Sequence, residues 1–160
     1  MSIYRPNTLS TKGIHLPDDA FVVLVNTGWN APIIDKLTAS CSEYLASKNI
    51  RFLILTVPGA IEIPFAIRQH HLAHPQTSAY IALGCVIKGD TPHFEYVCTS
   101  VTQGITTLNI TMDAPVVFGV LTVNTLEQAL ERTGGLHGDK GKEAAETAIH
   151  MMLLKQALKT

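Results

Sequence analysis

The sequence predicts one α/β domain of three layers, in which helices cover both faces of a four-stranded parallel sheet. Short apolar segments alternate along the chain with longer segments whose apolar residues recur at the spacing of one helix face. The short segments are continuously apolar, which is typical of strands that are covered on both faces. Strands and helices in alternation pair into a parallel sheet through right-handed crossovers, so we expect a doubly wound fold.

The first two strand–helix units lie in the first half of the chain. A strand is predicted over residues 21–25, and Asn30 stands where it can cap the helix that follows. The apolar face of that helix consists of Ile33, Ile34, Leu37, Cys41, Tyr44 and Leu45. A second strand over residues 51–57 ends at Pro58-Gly59, and a short helix is predicted from about residue 62 to 74.

The next two strands are predicted over residues 80–87 and 115–121. A helix begins between them at Phe94, and its core-facing residues are Phe94, Val97, Val101, Ile105 and Leu108. Beyond the fourth strand, Thr125 and Gln128 have the spacing of a capping box for a helix that extends to Arg132.

The two ends of the chain complete the organisation. A glycine-rich joint over residues 134–141 precedes a last helix over residues 142–158, whose apolar side carries Ala145, Ala148, Ile149, Met152 and Leu153. The first residues mix proline, asparagine, serine and glycine with little periodicity. We therefore predict an N-terminal arm over residues 1–19, followed by an α/β domain over residues 20–160.

Composition excludes several functional classes. The 160 residues are 46% apolar, and no apolar run approaches the length of a membrane span. A net charge of −1 provides no basic stripe to neutralise nucleic-acid phosphates. Three cysteines are too few and too widely spaced for a disulfide framework, and the first residues lack the apolar stretch of a secretory signal. We expect a single domain in the cytoplasm that binds neither nucleic acid nor membranes.

The turn after the third strand concentrates reactive groups. It contains Gly89, the hydroxyl of Thr91 and the imidazole of His93, the side-chain type that exchanges protons near neutral pH. The first amides of the following helix have no intrahelical partners and can bind an anion. The turn therefore indicates a phosphate held beside a histidine, although an ordinary strand-to-helix turn with a surface histidine would have the same sequence.

Other candidate residues also follow strands. In a parallel sheet, ligands bind beyond the carboxyl ends of the strands, where the loops meet. Trp29 can stack there on a planar heterocycle, or it can be a core or interface residue. Glu62 and Arg132 are each explained by the dipole at a helix end, but Arg132 also suits phosphate oxygens.

A metal site is the weaker interpretation of His70, His71 and His74. No carboxylate or cysteine stands nearby in the sequence, and His71 cannot share one helical face with both of the other histidines. We interpret them as a solvated helix end and expect no metal.

Five segments together resemble the lumazine synthase family. They are VPGAIEIP at residues 57–64, LGCVIKGDTPHFEY at 83–96, PVVFGVLT at 115–122, EQALER at 127–132 and GDKG at 138–141. They follow the family's order and spacing from about residue 20 to the end of the chain. The combination is specific, whereas no single segment is.

The resemblance implies a flavodoxin-like sheet and a cofactor-free condensation. The two small-molecule substrates are 5-amino-6-ribitylaminopyrimidinedione and 3,4-dihydroxy-2-butanone 4-phosphate. The products are 6,7-dimethyl-8-ribityllumazine, phosphate and water, in the penultimate step of riboflavin biosynthesis. The enzyme is a transferase.

The resemblance also assigns roles to individual residues. His93 takes the place of the proton-transfer histidine. The pyrimidine and its ribityl chain contact Trp29, Ala60, Ile61, Glu62, Cys85, Val86, Ile87 and Phe118, and the phosphate contacts Gly89, Asp90, Thr91 and Arg132. Lys140 lies near the same pocket, and the neighbouring subunit supplies Phe118 and Arg132.

A shared site implies a homo-oligomer, either a pentamer or an assembly of pentamers such as an icosahedral capsid, and riboflavin synthase is a further implied partner. Two positions depart from the family pattern. Ile61 stands where an aromatic residue is common, and Asp90 brings negative charge to the phosphate site.

Two other functional classes have the same fold. A binding protein that holds a lumazine without making it would keep Trp29 but would not need His93. A shell-forming structural protein is the second alternative. Thr91, His93 and Arg132 together favour the enzyme.

Overall fold

The computed structural model describes residues 15–159 and contains the predicted four-stranded parallel sheet. Its strands are β1 (Phe21–Thr27), β2 (Arg51–Val57), β3 (Ala79–Ile87) and β4 (Val116–Val123). They pair in the order β2-β1-β3-β4, with β1 and β3 in the centre. All four carboxyl ends therefore lie at the same edge of the sheet, where the predicted functional loops follow.

Two helices cover each face of the sheet, as the sequence predicts. Helices α1 (Ala31–Ser47) and α5 (Lys140–Ala157) pack on one face, where Cys41, Leu45, Ala145 and Ala148 meet apolar residues of β1 and β3. Helices α2 (Ile63–Ala73) and α3 (His93–Thr111) pack on the other, where Ile63, Ile67, Val101 and Ile105 are buried. A 3₁₀ turn over Ala60–Glu62 precedes α2.

The segment after β4 differs from the prediction. Helix α4 (Leu126–Leu130) ends two residues before Arg132, and the predicted joint forms a small antiparallel pair, β5 (Thr133–Gly135) with β6 (Gly138–Asp139). Gly134 and Gly138 have φ angles of 100° and 84°, which favour glycine. The glycines that indicated a loose joint thus build a hairpin.

Strand β2 is an edge strand and is less covered than its continuous apolar sequence predicts. Leu53 and Ile54 are 39% and 40% exposed, whereas the residues of β1 from Val22 onward are buried. The expectation of strands covered on both faces is therefore confirmed for β1 but is wrong for β2 within one chain.

Most of the predicted arm lies outside the described residues. Between residues 15 and 159, no helix combines the length and apolar character needed to cross a membrane.

Candidate active site

The loops after β1 and β2 are joined by backbone hydrogen bonds. Gly28 N donates to Val57 O at 2.8 Å, and Trp29 N donates to Pro58 O at 3.2 Å. The indole lies against Gly59, where a β-carbon would come within 3.0 Å of the ring. Trp29 is nonetheless 70% exposed, so it is not a core residue of this chain and presents most of its ring outward.

The turn after β2 is held by Glu62. Its Oε2 accepts a hydrogen bond from Gly59 N at 3.0 Å, so the carboxylate caps the turn. This agrees with the interpretation of Glu62 as a residue that begins a helix. Ala60 is buried, whereas Ile61 is 44% exposed beside it. The turn therefore offers one apolar side chain and an exposed carboxylate on the same strand-end loop.

Asn30 is the N-cap residue of α1, as predicted, but its side chain makes no capping hydrogen bond. The residue adopts the left-handed conformation, with φ 59° and ψ 39°, and its backbone carbonyl accepts from the amides of Ile33 and Ile34. Its side-chain Nδ2 instead donates to Cys85 O at 2.8 Å. Asn30 thus links the start of α1 to the end of β3.

The end of β3 continues beyond the end of its neighbour β1. The β1–β3 pairing ends at Asn26 and Leu83, whereas β3 remains paired with β4 up to Ile87 and Val123. Burial raises the pKa of the Cys85 thiol to about 11, so the thiol stays protonated at neutral pH and is a poor nucleophile. Cys85 can therefore contribute apolar surface and backbone groups here.

The reactive turn after β3 is solvent-exposed and leads directly into α3. The helix begins at His93, one residue earlier than predicted, and His93 N donates to Thr91 Oγ1 at 3.4 Å. The side chains of Asp90, Thr91 and His93 are exposed. A β-carbon at Gly89 would meet no atom within 4 Å, so the surface at this position is open to a ligand.

Lys88 is already paired within the chain. Its Nζ lies 3.7 Å from Glu95 Oε1 and 6.0 Å from the centre of the Phe94 ring. Asp90 brings a negative charge to this turn, and the charge of Lys88 is offset by Glu95. The helix amides must therefore supply much of any attraction for an anion.

Phe118 and Lys140 lie on a different concave surface. They line a cavity of about 690 Å³ between β4 and α5, together with Glu143, Ala144 and Met151. The lining of this cavity includes no residue of the Trp29, Glu62 or His93 loops. Lys140 Nζ pairs with Glu143 Oε2 at 2.6 Å. One chain therefore does not bring these two residues into one cavity with the strand-end loops.

Arg132 is half-buried beside the end of α4. Its Nη1 donates to Gln128 O at 2.7 Å, which is the helix-end role that the sequence left open. Its backbone carbonyl accepts from Lys140 N at 2.9 Å, so the β5–β6 hairpin joins the two cations. The guanidinium has further N–H donors beyond the one that caps α4.

His70 and His71 lie in the last turn of α2 and His74 directly follows the helix, at the far end of the sheet. The rings of His70 and His74 are 4.6 Å apart, and His70 Nδ1 is 2.9 Å from the Tyr80 hydroxyl. Within residues 15–159, no three His, Cys, Asp or Glu side chains are grouped so as to hold a metal ion. His74 is exposed, whereas His70 and His71 are half-buried, so the prediction of a solvated helix end is confirmed for His74 and is wrong for the other two histidines.

A polar cluster beneath the site had no clear sequence signal. Buried Asn26 accepts from Thr56 Oγ1 at 2.7 Å and donates to Thr38 Oγ1 at 3.1 Å. It joins β1, β2 and α1 directly below the loops that carry Trp29 and Pro58. An asparagine inside an apolar strand was the one indication available in the sequence.

Comparison with known proteins identifies similar chains over nearly the whole length. The family model described as 6,7-dimethyl-8-ribityllumazine synthase matches residues 19–156. A protein of that name from Bacteroides fragilis is 46% identical over 132 residues, which cover 81% of this chain and 92% of the relative. One from Flavobacterium johnsoniae is 38% identical over 98% of this chain and 80% of the relative. One from Campylobacter lari is 38% identical over 99% of both chains.

Proposed function

Because this chain belongs to the 6,7-dimethyl-8-ribityllumazine synthase family, we propose that the loops at the carboxyl ends of its strands carry out the family's reaction. The chain is a transferase, and its reaction is the penultimate step of riboflavin biosynthesis. The observation that carries the assignment of the site is that the family match spans residues 19–156 and includes every strand-end loop.

The reaction joins two substrates and needs mainly their alignment. The amine of 5-amino-6-ribitylaminopyrimidinedione attacks the ketone of 3,4-dihydroxy-2-butanone 4-phosphate, and loss of water gives an imine. Phosphate is eliminated, and ring closure with loss of water gives 6,7-dimethyl-8-ribityllumazine. Holding two reactants in the right geometry can supply about 7–11 kcal/mol of the barrier.

The pyrimidine ring stacks on Trp29 in this proposal. The support is the exposed indole at the mouth of the β1 and β2 loops. The carboxylate of Glu62 faces the ribityl hydroxyls, and Ala60 and Ile61 pack beside them. Backbone groups at the end of β3 pair with the ring edge, in the stretch that consists of Cys85, Val86 and Ile87.

The butanone phosphate binds at the turn that leads into α3. Open backbone at Gly89, the Thr91 hydroxyl and the first amides of a 19-residue helix support an anion there. Asp90 contributes its backbone, because its carboxylate would repel the phosphate. His93 exchanges protons with the reacting centre, where general acid–base catalysis typically contributes about 10²–10⁴-fold.

Residues from a neighbouring subunit complete the site. Phe118 and Lys140 line a cavity whose lining includes no residue of the Trp29 or His93 loops, which supports a site to which two chains contribute. Arg132 from the same neighbour reaches the phosphate. Exposed apolar residues on β2 support such contacts between chains.

The assembly in this proposal is a homo-oligomer built from pentamers, up to a 60-subunit icosahedral shell in the cytoplasm, with riboflavin synthase as a partner. Ultracentrifugation that shows only pentamers at several protein and phosphate concentrations would contradict the shell.

Turnover by the purified protein tests the proposal. Mixed with both substrates, the protein should form fluorescent lumazine without metal or nucleotide, and a chelator should leave the rate unchanged. A protein that binds the pyrimidinedione but makes no lumazine would be a binding protein. Activity that is lost with chelator and returns only with metal would contradict the cofactor-free reaction.

A further inference from the structure

We infer that Asn30 is a positioning residue that orients the end of β3 toward the pyrimidine ring, an inference that rests on the function proposed above. Asn30 touches no substrate in this assignment. It acts through the carbonyl of Cys85, to which its side-chain amide donates at 2.8 Å.

The two central strands differ in length, with seven residues in β1 and nine in β3. Strand β1 stops pairing with β3 at Leu83, four residues before β3 ends. The amides of Tyr80 and Lys88 both donate to the β4 side, at Pro115 O and Val123 O. Backbone groups alternate along a strand, so those of Cys85 and Ile87 point toward the cleft that β1 has vacated.

Asn30 occupies one position of this vacated edge. Its side-chain N–H takes the place of a strand partner for Cys85 O. The next groups along the same edge belong to Ile87, which lies beyond the last residue of β3 that pairs with β1. Cys85 O is already bonded to Asn30, so it does not compete for the donors of a ligand ring. A planar ring with donors and acceptors on its edge is therefore directed to Ile87, at the end of β3.

Asn30 has a left-handed backbone conformation, with φ 59°. Left-handed φ is sparsely populated by residues with side chains, and asparagine is among those that tolerate it best. A residue that merely began a helix would not need this conformation.

Asn30→Asp and Asn30→Gly both remove the side-chain N–H while still allowing the positive φ angle, so they test the hydrogen bond apart from the backbone conformation. Aspartate has nearly the same shape but no N–H to donate, and glycine tolerates positive φ without any side chain. Asn49 provides matched controls, because it also has positive φ, 57°, and lies between α1 and β2 at the other end of the sheet. The controls are Asn49→Asp and Asn49→Gly.

Both Asn30 variants should raise the KM for the pyrimidinedione by roughly 2- to 12-fold, the effect of one lost hydrogen bond. The KM for the butanone phosphate should stay within about twofold of the native value, since its turn does not contact Asn30. Both Asn49 variants should leave both constants unchanged. Trp29, the single tryptophan of the chain, gives a direct readout of pyrimidinedione binding by fluorescence titration.

Several results would overturn the inference. One is native KM for the pyrimidinedione in both Asn30 variants. Another is an equal rise of both KM values with a lower melting temperature, which would make Asn30 a general structural residue.

Failure of the proposed function is distinguishable from failure of the inference. If the native protein makes no lumazine, the fluorescence titration still tests whether Asn30 contributes to pyrimidinedione binding. A weaker dissociation constant in the Asn30→Asp chain supports the positioning role, and an equal constant overturns it. A native protein that does not bind the pyrimidinedione at all overturns both.

Discussion

At the scale of single residues, the strand-end loops owe their shape to a few polar contacts. Glu62 holds Gly59, Asn30 holds Cys85, and Asn26 joins three elements below them. Each contact satisfies a backbone or side-chain group that would otherwise have to remain hydrated, and groups left unsatisfied typically cost about 1–3 kcal/mol. The loops are therefore preorganised, while Trp29 and His93 remain exposed to a ligand.

His93→Gln should slow turnover by roughly 10²- to 10⁴-fold while the fold stays intact, because glutamine cannot exchange protons near neutral pH. The exposed side chain makes few packing contacts, so unfolding should be unchanged within about 0.5 kcal/mol. Lumazine fluorescence measures the first quantity and denaturant unfolding the second. Native turnover in this variant would show that His93 is only a surface residue.

At the scale of the elements, α1 connects the strand-end loops of a chain to the hairpin that the same chain contributes to its neighbour's proposed site. Its first residues follow Trp29 and Asn30, and Ser40 in its middle donates to Asp139 at 2.7 Å. Asp139 caps α5 by accepting from the amides of Gly141 and Lys142. The hairpin between Arg132 and Lys140 is thereby fixed to the same helix that carries the aromatic loop.

Gly141→Ala should destabilise the protein by about 1–2 kcal/mol. A β-carbon at this position would overlap Leu37 O, a backbone atom that cannot move without shifting α1. Overpacking typically costs about 1–3 kcal/mol and should exceed the gain of about 1 kcal/mol from replacing a helical glycine. The midpoint of denaturant unfolding measures the difference.

Gly89→Ala is the matched control for this comparison, since its β-carbon would meet no atom within 4 Å. It should unfold within about 0.5 kcal/mol of the native protein. Equal stability of both variants would show that α1 and α5 can separate at little cost.

The end of α2 should make stability depend on pH. Burial, followed by the neighbouring His74 and His71, lowers the pKa of His70 from its ordinary value of 6.5. Burial, followed by Arg68, lowers the pKa of His71, against the opposing effect of Asp113. The folded state thus binds fewer protons than the unfolded state below pH 6.5, so stability is lost as the pH falls from there through the lowered folded-state values.

Denaturant unfolding of the native protein and of His70→Gln, between pH 8 and pH 5, measures this effect. The difference in the free energy of unfolding between the native protein and the variant should be constant above about pH 6.5. Below that pH the native protein should lose stability relative to the variant. Glutamine removes the titrating group and alters the contact with Tyr80, and the second effect does not depend on pH in this range. A difference that stays constant down to pH 5 would show that His70 does not contribute.

At the scale of the whole molecule, one chain presents two incomplete surfaces. The strand-end loops form one, and the cavity with Phe118 and Lys140 forms the other. A head-to-tail contact between subunits joins two different surfaces. In a closed ring of subunits, the strand-end loops of each subunit meet the Phe118 surface of its neighbour. The separation of these two surfaces within one chain supports a site that is shared between neighbouring subunits.

Mixed assemblies test the shared site directly. His93→Ala and Arg132→Ala chains, each nearly inactive alone, are unfolded and refolded together in equal amounts. With random mixing, an interface has an intact His93 with probability one half and an intact Arg132 with probability one half. Roughly a quarter of the interfaces are therefore complete, and activity should recover to roughly a quarter of native. The same chains mixed without unfolding are the control. Co-assembled chains that stay as inactive as their parents would show that both residues serve the same chain.

The sequence by itself determined the order of the elements, the parallel sheet and the position of the reactive loops. These properties depend on local periodicity and on the rule that parallel strands place their carboxyl ends together. The family resemblance added the reaction, and the match over residues 19–156 confirms the family.

Tertiary structure alone decided which of these residues meet. Asn30 is 55 residues away from Cys85, and Ser40 is 99 residues away from Asp139, so no local pattern predicts either hydrogen bond. The same holds for the separation of the Phe118 surface from the Trp29 loops. Periodicity records which face of an element is apolar, whereas polar contacts between distant segments form only when the packed sheet and helices bring the groups within about 3 Å.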